Sequence, residues 1–133
     1  MPKFPSPEWA EAYAKEINAS PAYAEAARAW EGDFLFLIRP DDRAPHGEGI
    51  HLDLANGVCR GARYVDDPST VHPEFTYEGR REDWERLLRR ELDPVRAILG
   101  GTFKLRGNLL KAARFQRAAK EMVDAATRVP STP

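Results

Sequence analysis

Three histidines, one cysteine and a few adjacent acid pairs are the residues with which this chain could make or break bonds. His46, His51 and His72 have no spacing to one another, or to nearby Asp and Glu, that matches a metal-ligand motif, so no metal is expected. Cys59 lies between Val58 and Arg60 with no base partner nearby in sequence, which fits a small strand residue better than a thiolate nucleophile. No serine sits in a Gly-x-Ser-x-Gly elbow. Gly100-Gly101 and Gly107 are separated by an alternating segment and lack the Gly-Lys-Ser of a phosphate-cradling loop. The pairs Asp41-Asp42, Asp66-Asp67 and Glu82-Asp83 stand at turns or a helix start, where solvation and capping account for them. The expectation is therefore no catalytic residue, no cofactor and a protein that is not an enzyme.

The punctuation of the chain is legible. Ser6-Pro7 and Ser20-Pro21 each place a capping side chain before a proline with a preset dihedral, predicting helices from Pro7 to about Ala19 and from Pro21 to about Glu31. Trp9, Tyr13 and Ile17 share a face of the first; Tyr23, Ala26, Ala27 and Trp30 share a face of the second. Five consecutive apolar residues, Phe34 to Ile38, read as a central strand. Ile50, Leu52 and Leu54 alternate with His51 and Asp53, and Asn56-Gly57 turns the chain into a return strand over Val58 to Val65. Phe75 and Tyr77 mark a fourth strand ended by Gly79, and Arg80 to Arg90 a charged helix facing inward through Trp84, Leu87 and Leu88. Asp93-Pro94 starts another helix that Gly100-Gly101 stops, Thr102 to Arg106 alternate as a fifth strand, and Gly107-Asn108 turn into a last helix, Leu109 to about Arg128. That helix is amphipathic. Ala112, Phe115, Ala119, Met122 and Ala126 lie on one face, with Arg114, Arg117, Lys120, Glu121 and Asp124 opposite. Its alanine-rich face either packs close to the sheet or leaves thin cover over a cavity. Pro130 to Pro133 reads as a disordered tail.

The run D-P-V-R-A-I-L-G-G-T-F-K-L-R-G-N-L, Asp93 to Leu109, resembles the C-terminal signature of the sterol carrier protein 2 family, and Trp30 to Leu54, with E-G-D-F-L-F-L-I at Glu31 to Ile38, is similar to that family's first strands. Asn108 stands where family members often carry Asp; both cap helices. The resemblance implies an α+β fold, a five-stranded mixed sheet of order 3-2-1-4-5 covered by helices, and a lipid tunnel between sheet and helices near the C-terminal end. On that reading the chain carries a fatty acid, fatty acyl-CoA or sterol-like molecule. The expected cavity lining is Phe34, Phe36, Ile38, Leu52, Leu54, Trp84, Leu88, Ile98, Phe103, Leu105, Phe115 and Met122, with Arg106, Lys111 and Arg114 meeting an anionic headgroup. The alternatives are a structural or oligomerisation module without ligand, and an enzyme acting on an acyl substrate.

With 133 residues, 42% hydrophobic and 31% charged, the chain is the size of one domain, 1–133, able to bury about two thirds of its unfolded surface. No apolar run approaches the ~20 residues that cross a bilayer, and no apolar h-region follows the N-terminus, so a cytoplasmic protein is expected. The net charge of -1 conceals an asymmetry: residues 1–79 carry -7 and residues 80–133 carry +6. Complementary solvated faces explain this; a sharper reading is that the basic half attracts a phosphate-bearing headgroup, a coenzyme A moiety or an anionic membrane. The expected partners are thus a lipid ligand, a transient membrane surface and a second copy as homodimer. Basic residues interleaved with acids and the lack of an aromatic platform argue against nucleic acid.

Overall fold

The computed structural model describes residues 2–130; Met1 and residues 131–133, most of the expected tail, lie outside them. The helix starts are set by the caps read from sequence. Ser6 Oγ accepts from the Trp9 amide at 3.1 Å to open α1, Pro7–Asn18, and Ser20 Oγ accepts from the Tyr23 amide at 3.1 Å to open α2, Pro21–Ala26. Asp93 Oδ2 accepts from the Val95 and Arg96 amides at the head of α4, Pro94–Leu99, which follows α3, Arg81–Leu88.

Five strands form one sheet: β1 Phe34–Ile38, β2 Glu48–Ala55, β3 Val58–Val65, β4 Phe75–Gly79 and β5 Lys104–Arg106, in the order β3-β2-β1-β4-β5. β1 runs antiparallel to β2 and parallel to β4, so the sheet is mixed and β1 is its central strand. The β2–β3 turn places Asn56 and Gly57 at φ 54° and 82°, the left-handed values such a tight hairpin needs and these two residues tolerate. Alternate strand residues, Phe34, Phe36, Ile38, Ile50, Leu52, Leu54, Phe75 and Tyr77, join one buried cluster with Trp9, Tyr13, Ile17, Tyr23 and Met122 from the helices. The Tyr13 hydroxyl donates to the Met122 carbonyl at 2.7 Å and ties α1 to the C-terminal helix.

Three elements depart from expectation, the first two because a hydrogen bond to another segment outcompetes the local pattern. α2 ends at Ala26, short of Glu31, since the following chain turns to pair with the β2 end: Asn56 N donates to Trp30 O at 2.6 Å and Gly32 N to Leu54 O at 3.1 Å. β5 starts at Lys104 because the Phe103 amide is taken by the Ala97 carbonyl at 3.0 Å. The last helix is two: α5, Leu109–Arg114, and α6, Gln116–Arg128, separated at Phe115, whose φ of -116° and ψ of 30° leave helical geometry. The break turns the Phe115 ring edge-on to Trp30, with ring centres 5.0 Å apart.

A half-buried charge group centred on Arg81 clamps α3 to the sheet. Arg81 Nε and Nη2 donate to Asp41 Oδ2 and Oδ1 at 2.7 and 3.1 Å, Nη2 also lies 2.6 Å from Glu48 Oε2, and Glu48 Oε1 accepts the Tyr64 hydroxyl at 2.6 Å. The Arg81 fork, helped by the Ala44 and Arg43 amides against a smaller opposing effect of burial, holds the Asp41 carboxyl at about 2, from an ordinary 3.8. A depressed folded-state value means the carboxylate stabilises fully above its unfolded value and less as pH falls through its folded one. Asp41→Asn is expected to cost about 1–2 kcal/mol at neutral pH. In urea melts that deficit against the parent should close between about pH 4 and about pH 2.

Candidate functional site

Between the sheet and helices α2, α4, α5 and α6 lies an apolar cavity of about 230 Å³. Its floor is aromatic and comes from the sheet: Phe34 and Phe36 of β1 and Tyr77 of β4, with Leu54 of β2 and Leu105 of β5 beside them. Trp30, just past α2, packs 5.9 Å from Phe34 and 5.2 Å from Phe75, and Tyr23 of α2 joins the wall. The roof is made of short side chains. Ala112 and Ala113 on α5 and Ala118 and Ala119 on α6 face the void with Phe115, Met122 and Val123, so the volume exists because alanines stand where larger residues would reach the sheet. Pro94, Val95, Ile98 and Leu99 of α4 complete the rim with Leu109, Gln116 and Lys120. Lining residues that are also solvent-exposed mark the mouth: Leu99 is 82% exposed and Leu109 59%, so it opens between α4 and α5.

The chemistry of this wall is nearly neutral. Burial pushes the Tyr77 and Tyr23 phenols upward, with nearby Cys59 adding to the effect on Tyr23, so both stay protonated; the Tyr77 hydroxyl donates to Pro94 O at 3.0 Å and pins the start of α4. Lys120 is the cation of the lining, at its exposed edge. The residues weighed for chemistry stand elsewhere. His51 Nε2 pairs with Asp33 Oδ2 at 2.7 Å, and His46 and His72 are exposed. Burial raises the Asp33 carboxyl, but hydrogen bonds from His51 and the Glu74 amide outweigh it and hold the group below its ordinary value. Cys59 is buried on β3, and burial pushes its thiol up. Among the described residues no three His, Cys, Asp or Glu gather as a metal site.

Seven of the twelve apolar residues expected at a cavity do line it: Phe34, Phe36, Leu54, Ile98, Leu105, Phe115 and Met122. Ile38, Leu52, Trp84, Leu88 and Phe103 do not; around Trp84 and Phe103 the space between sheet and helices is filled. There Phe4 and Trp9 pack at 4.6 Å, Trp84 sits 5.1 Å from Phe36 and 5.0 Å from Phe103, and Phe103 stacks on Tyr77 at 4.7 Å. The N-terminal aromatics occupy the space that an even spacing of inward residues cannot distinguish from a void.

The three expected headgroup residues are also placed otherwise. Arg106 Nε lies 2.6 Å from Glu78 Oε1 in an ion pair too bent for a hydrogen bond, and Lys111 Nζ is bound by Glu31 O at 2.6 Å and Glu74 Oε2 at 2.8 Å, over the Trp30 ring. Arg114 is exposed and outside the lining. Lys120, which the helical wheel assigned to the opposite face, reaches the rim with Gln116, Ala119 and Val123, which share its side of α6. Tyr23 and Trp30 were visible in sequence only as inward aromatics, and Val95 and Leu99 as part of a short helix; nothing in their spacing separates lining from core.

The profile of the SCP-2 sterol transfer family matches residues 11–120. Among solved structures, a crystal structure of sterol carrier protein 2 is 34% identical with a TM-score of 0.89, over 94% of this chain and 98% of that one. The solution structure of a conserved hypothetical protein of Thermus thermophilus, described as possibly a sterol carrier protein, is 35% identical with a TM-score of 0.85, over 96% of this chain and 90% of that one. Sterol carrier protein 2 of Yarrowia lipolytica in its apo form shares the fold at 16% identity and a TM-score of 0.57, over 89% and 88% of the two chains. No curated protein matches. No helix among the described residues is long and apolar enough to cross a membrane. A family match over most of the chain, a near-superimposable relative above one third identity and the same 3-2-1-4-5 sheet agree: the chain belongs to the SCP-2 sterol transfer family.

Proposed function

We propose that the protein is a non-enzymatic lipid carrier of the cytoplasm, folded as one domain, whose cavity takes the acyl chain of a fatty acid or acyl derivative. The observation that carries this is the alanine-roofed apolar void with an open mouth, in a chain of this family. Phe34, Phe36, Leu54, Ile98, Leu105, Phe115 and Met122, joined by Tyr23, Trp30, Val95, Leu99, Leu109 and the four roof alanines, are assigned to the chain, and Lys120 with Gln116 to its polar end. No catalytic step is assigned, since the titratable side chains on the wall, among the described residues, are two protonated phenols and one rim lysine.

The cavity volume supports a flexible chain over a rigid ring system. A cavity of ~150 Å³ admits six-carbon benzene, about 25 Å³ per carbon, so 230 Å³ holds about nine carbons. A sterol nucleus exceeds this by a wide margin, whereas a flexible chain can enter by degrees. At ~0.8 kcal/mol per methylene, nine carbons gain about 7 kcal/mol gross, and the cost of association removes most of it; sixteen gain about 13 kcal/mol. Useful affinity therefore requires the α4–α5 lip to part around a long chain. Mass spectrometry of lipids released by denaturing extraction, and displacement of a fluorescent fatty acid, test the reading: palmitate should displace the probe far more strongly than decanoate. Absence of both extracted lipid and displacement would overturn it.

A further inference from the structure

Side chains alternate across a strand, so while Tyr77 and Leu105 line the cavity, their neighbours Thr76, Glu78, Lys104 and Arg106 stand on the opposite face of the sheet. The β4–β5 register sets Lys104 beside Glu78 and Arg106 beside Thr76. Arg39, one residue past β1, reaches the same carboxylate: its Nε donates to Glu78 Oε2 at 3.3 Å, while Arg106 Nε lies 2.6 Å from Oε1. Glu78 is left 7% exposed, with Oε1 shut away from solvent and making no hydrogen bond. Among the described residues neither guanidinium has a second partner, Lys104 has no carboxylate, and the Thr76 hydroxyl makes no hydrogen bond. Glu74, the other acid on this face of β4, is held by Lys111. Three cations thus answer one carboxylate, an excess of two positive charges. Gripping both arginines through Nε, Glu78 fixes their planes and leaves their terminal nitrogens, the forked donors that suit phosphate oxygens, unused. Fixed donors with surplus charge favour a group that has several oxygens and more than one negative charge over a single chloride.

We propose that Arg39, Lys104 and Arg106, aligned by Glu78 and joined by Thr76, form a binding site for a phosphate-bearing anion on the face of the sheet opposite the cavity. Leu105, between the two β5 cations, lines the cavity from the other side, so one three-residue edge strand separates the two sites. The phosphate belongs either to a free anion or to the polar end of a cavity ligand that reaches around this strand. The site itself does not depend on the carrier reading. At low ionic strength, sodium pyrophosphate titrated into the full-length protein should move the amide resonances of Thr76, Lys104 and Arg106 along a saturating one-site curve, and sodium chloride at matched ionic strength should not. Lys104→Met with Arg106→Met should weaken this binding at least about tenfold. Arg114→Met with Arg117→Met, which removes two other exposed cations without carboxylate partners among the described residues, should leave it unchanged. Neither pair is buried, so both variants should melt like the parent. Shifts that never saturate, or equal weakening by the two pairs, would reveal diffuse attraction and overturn the site. Palmitoyl-coenzyme A separates the sources: if it moves the same amides and excludes pyrophosphate, the phosphate is the ligand's own, and if pyrophosphate binds equally in its presence, the anion is free. Either result supports the site. A protein that binds pyrophosphate here yet displaces no fatty acid would keep the site and lose only the carrier reading.

Discussion

Ala119→Trp should abolish fatty-acid binding while leaving the protein folded. Ala119 is one of four alanines roofing the cavity, and an indole there fills most of a volume that holds only about nine carbons. Excluding four or five methylenes forfeits ~3–4 kcal/mol, a loss of several hundredfold in affinity in the displacement assay. The stability cost is small, because Trp is only about 0.5 kcal/mol poorer than Ala in a helix and the new ring gains apolar contacts. A variant that melts like the parent and still binds would show that the chain lies elsewhere.

Trp84→Ala should do the reverse. Trp84 is fully enclosed by Phe4, Phe36, Tyr77 and Phe103, and its Nε1–H donates to the Leu37 carbonyl at 2.9 Å. Truncation leaves a cavity costing ~3–5 kcal/mol and removes one of the hydrogen bonds accepted by the Leu37 carbonyl. Against a typical total of ~5–15 kcal/mol, this brings the variant close to unfolding in water, read as a large drop in the urea midpoint. Trp84→Phe, which keeps most of the ring and loses the hydrogen bond, should fold and bind palmitate as the parent does. Weakened binding in that variant would return Trp84 to the lining.

These two residues mark where sequence reading succeeds and where it stops. The caps at Ser6, Ser20 and Asp93, the Asn56-Gly57 turn and the alternation in β2 and β4 act through neighbours a few residues away, so they are legible without coordinates. The Asp93–Leu109 pattern carried the family and, through it, the strand order. What fails is anything settled at long range. Trp84 and Phe36 both read as inward residues and are equally buried, yet one abuts Phe4, delivered from the N-terminus, and the other faces an empty volume. Likewise Lys111 reads as a free cation until the fold brings Glu31 O and Glu74 to it, and the uninterrupted periodicity of Leu109 to Arg128 conceals the break at Phe115, whose ring meets Trp30.

That break leaves α5 as a six-residue lever with no buried residue of its own, moored chiefly by the Lys111 ammonium and hinged at Phe115. Such a segment detaches at a fraction of the free energy that holds the sheet, so its amides should exchange with deuterium long before those of α1 or β1. On the proposal that a chain enters by this mouth, speed of loading and resistance to heat rest with different parts of the molecule, and either can be tuned without disturbing the other.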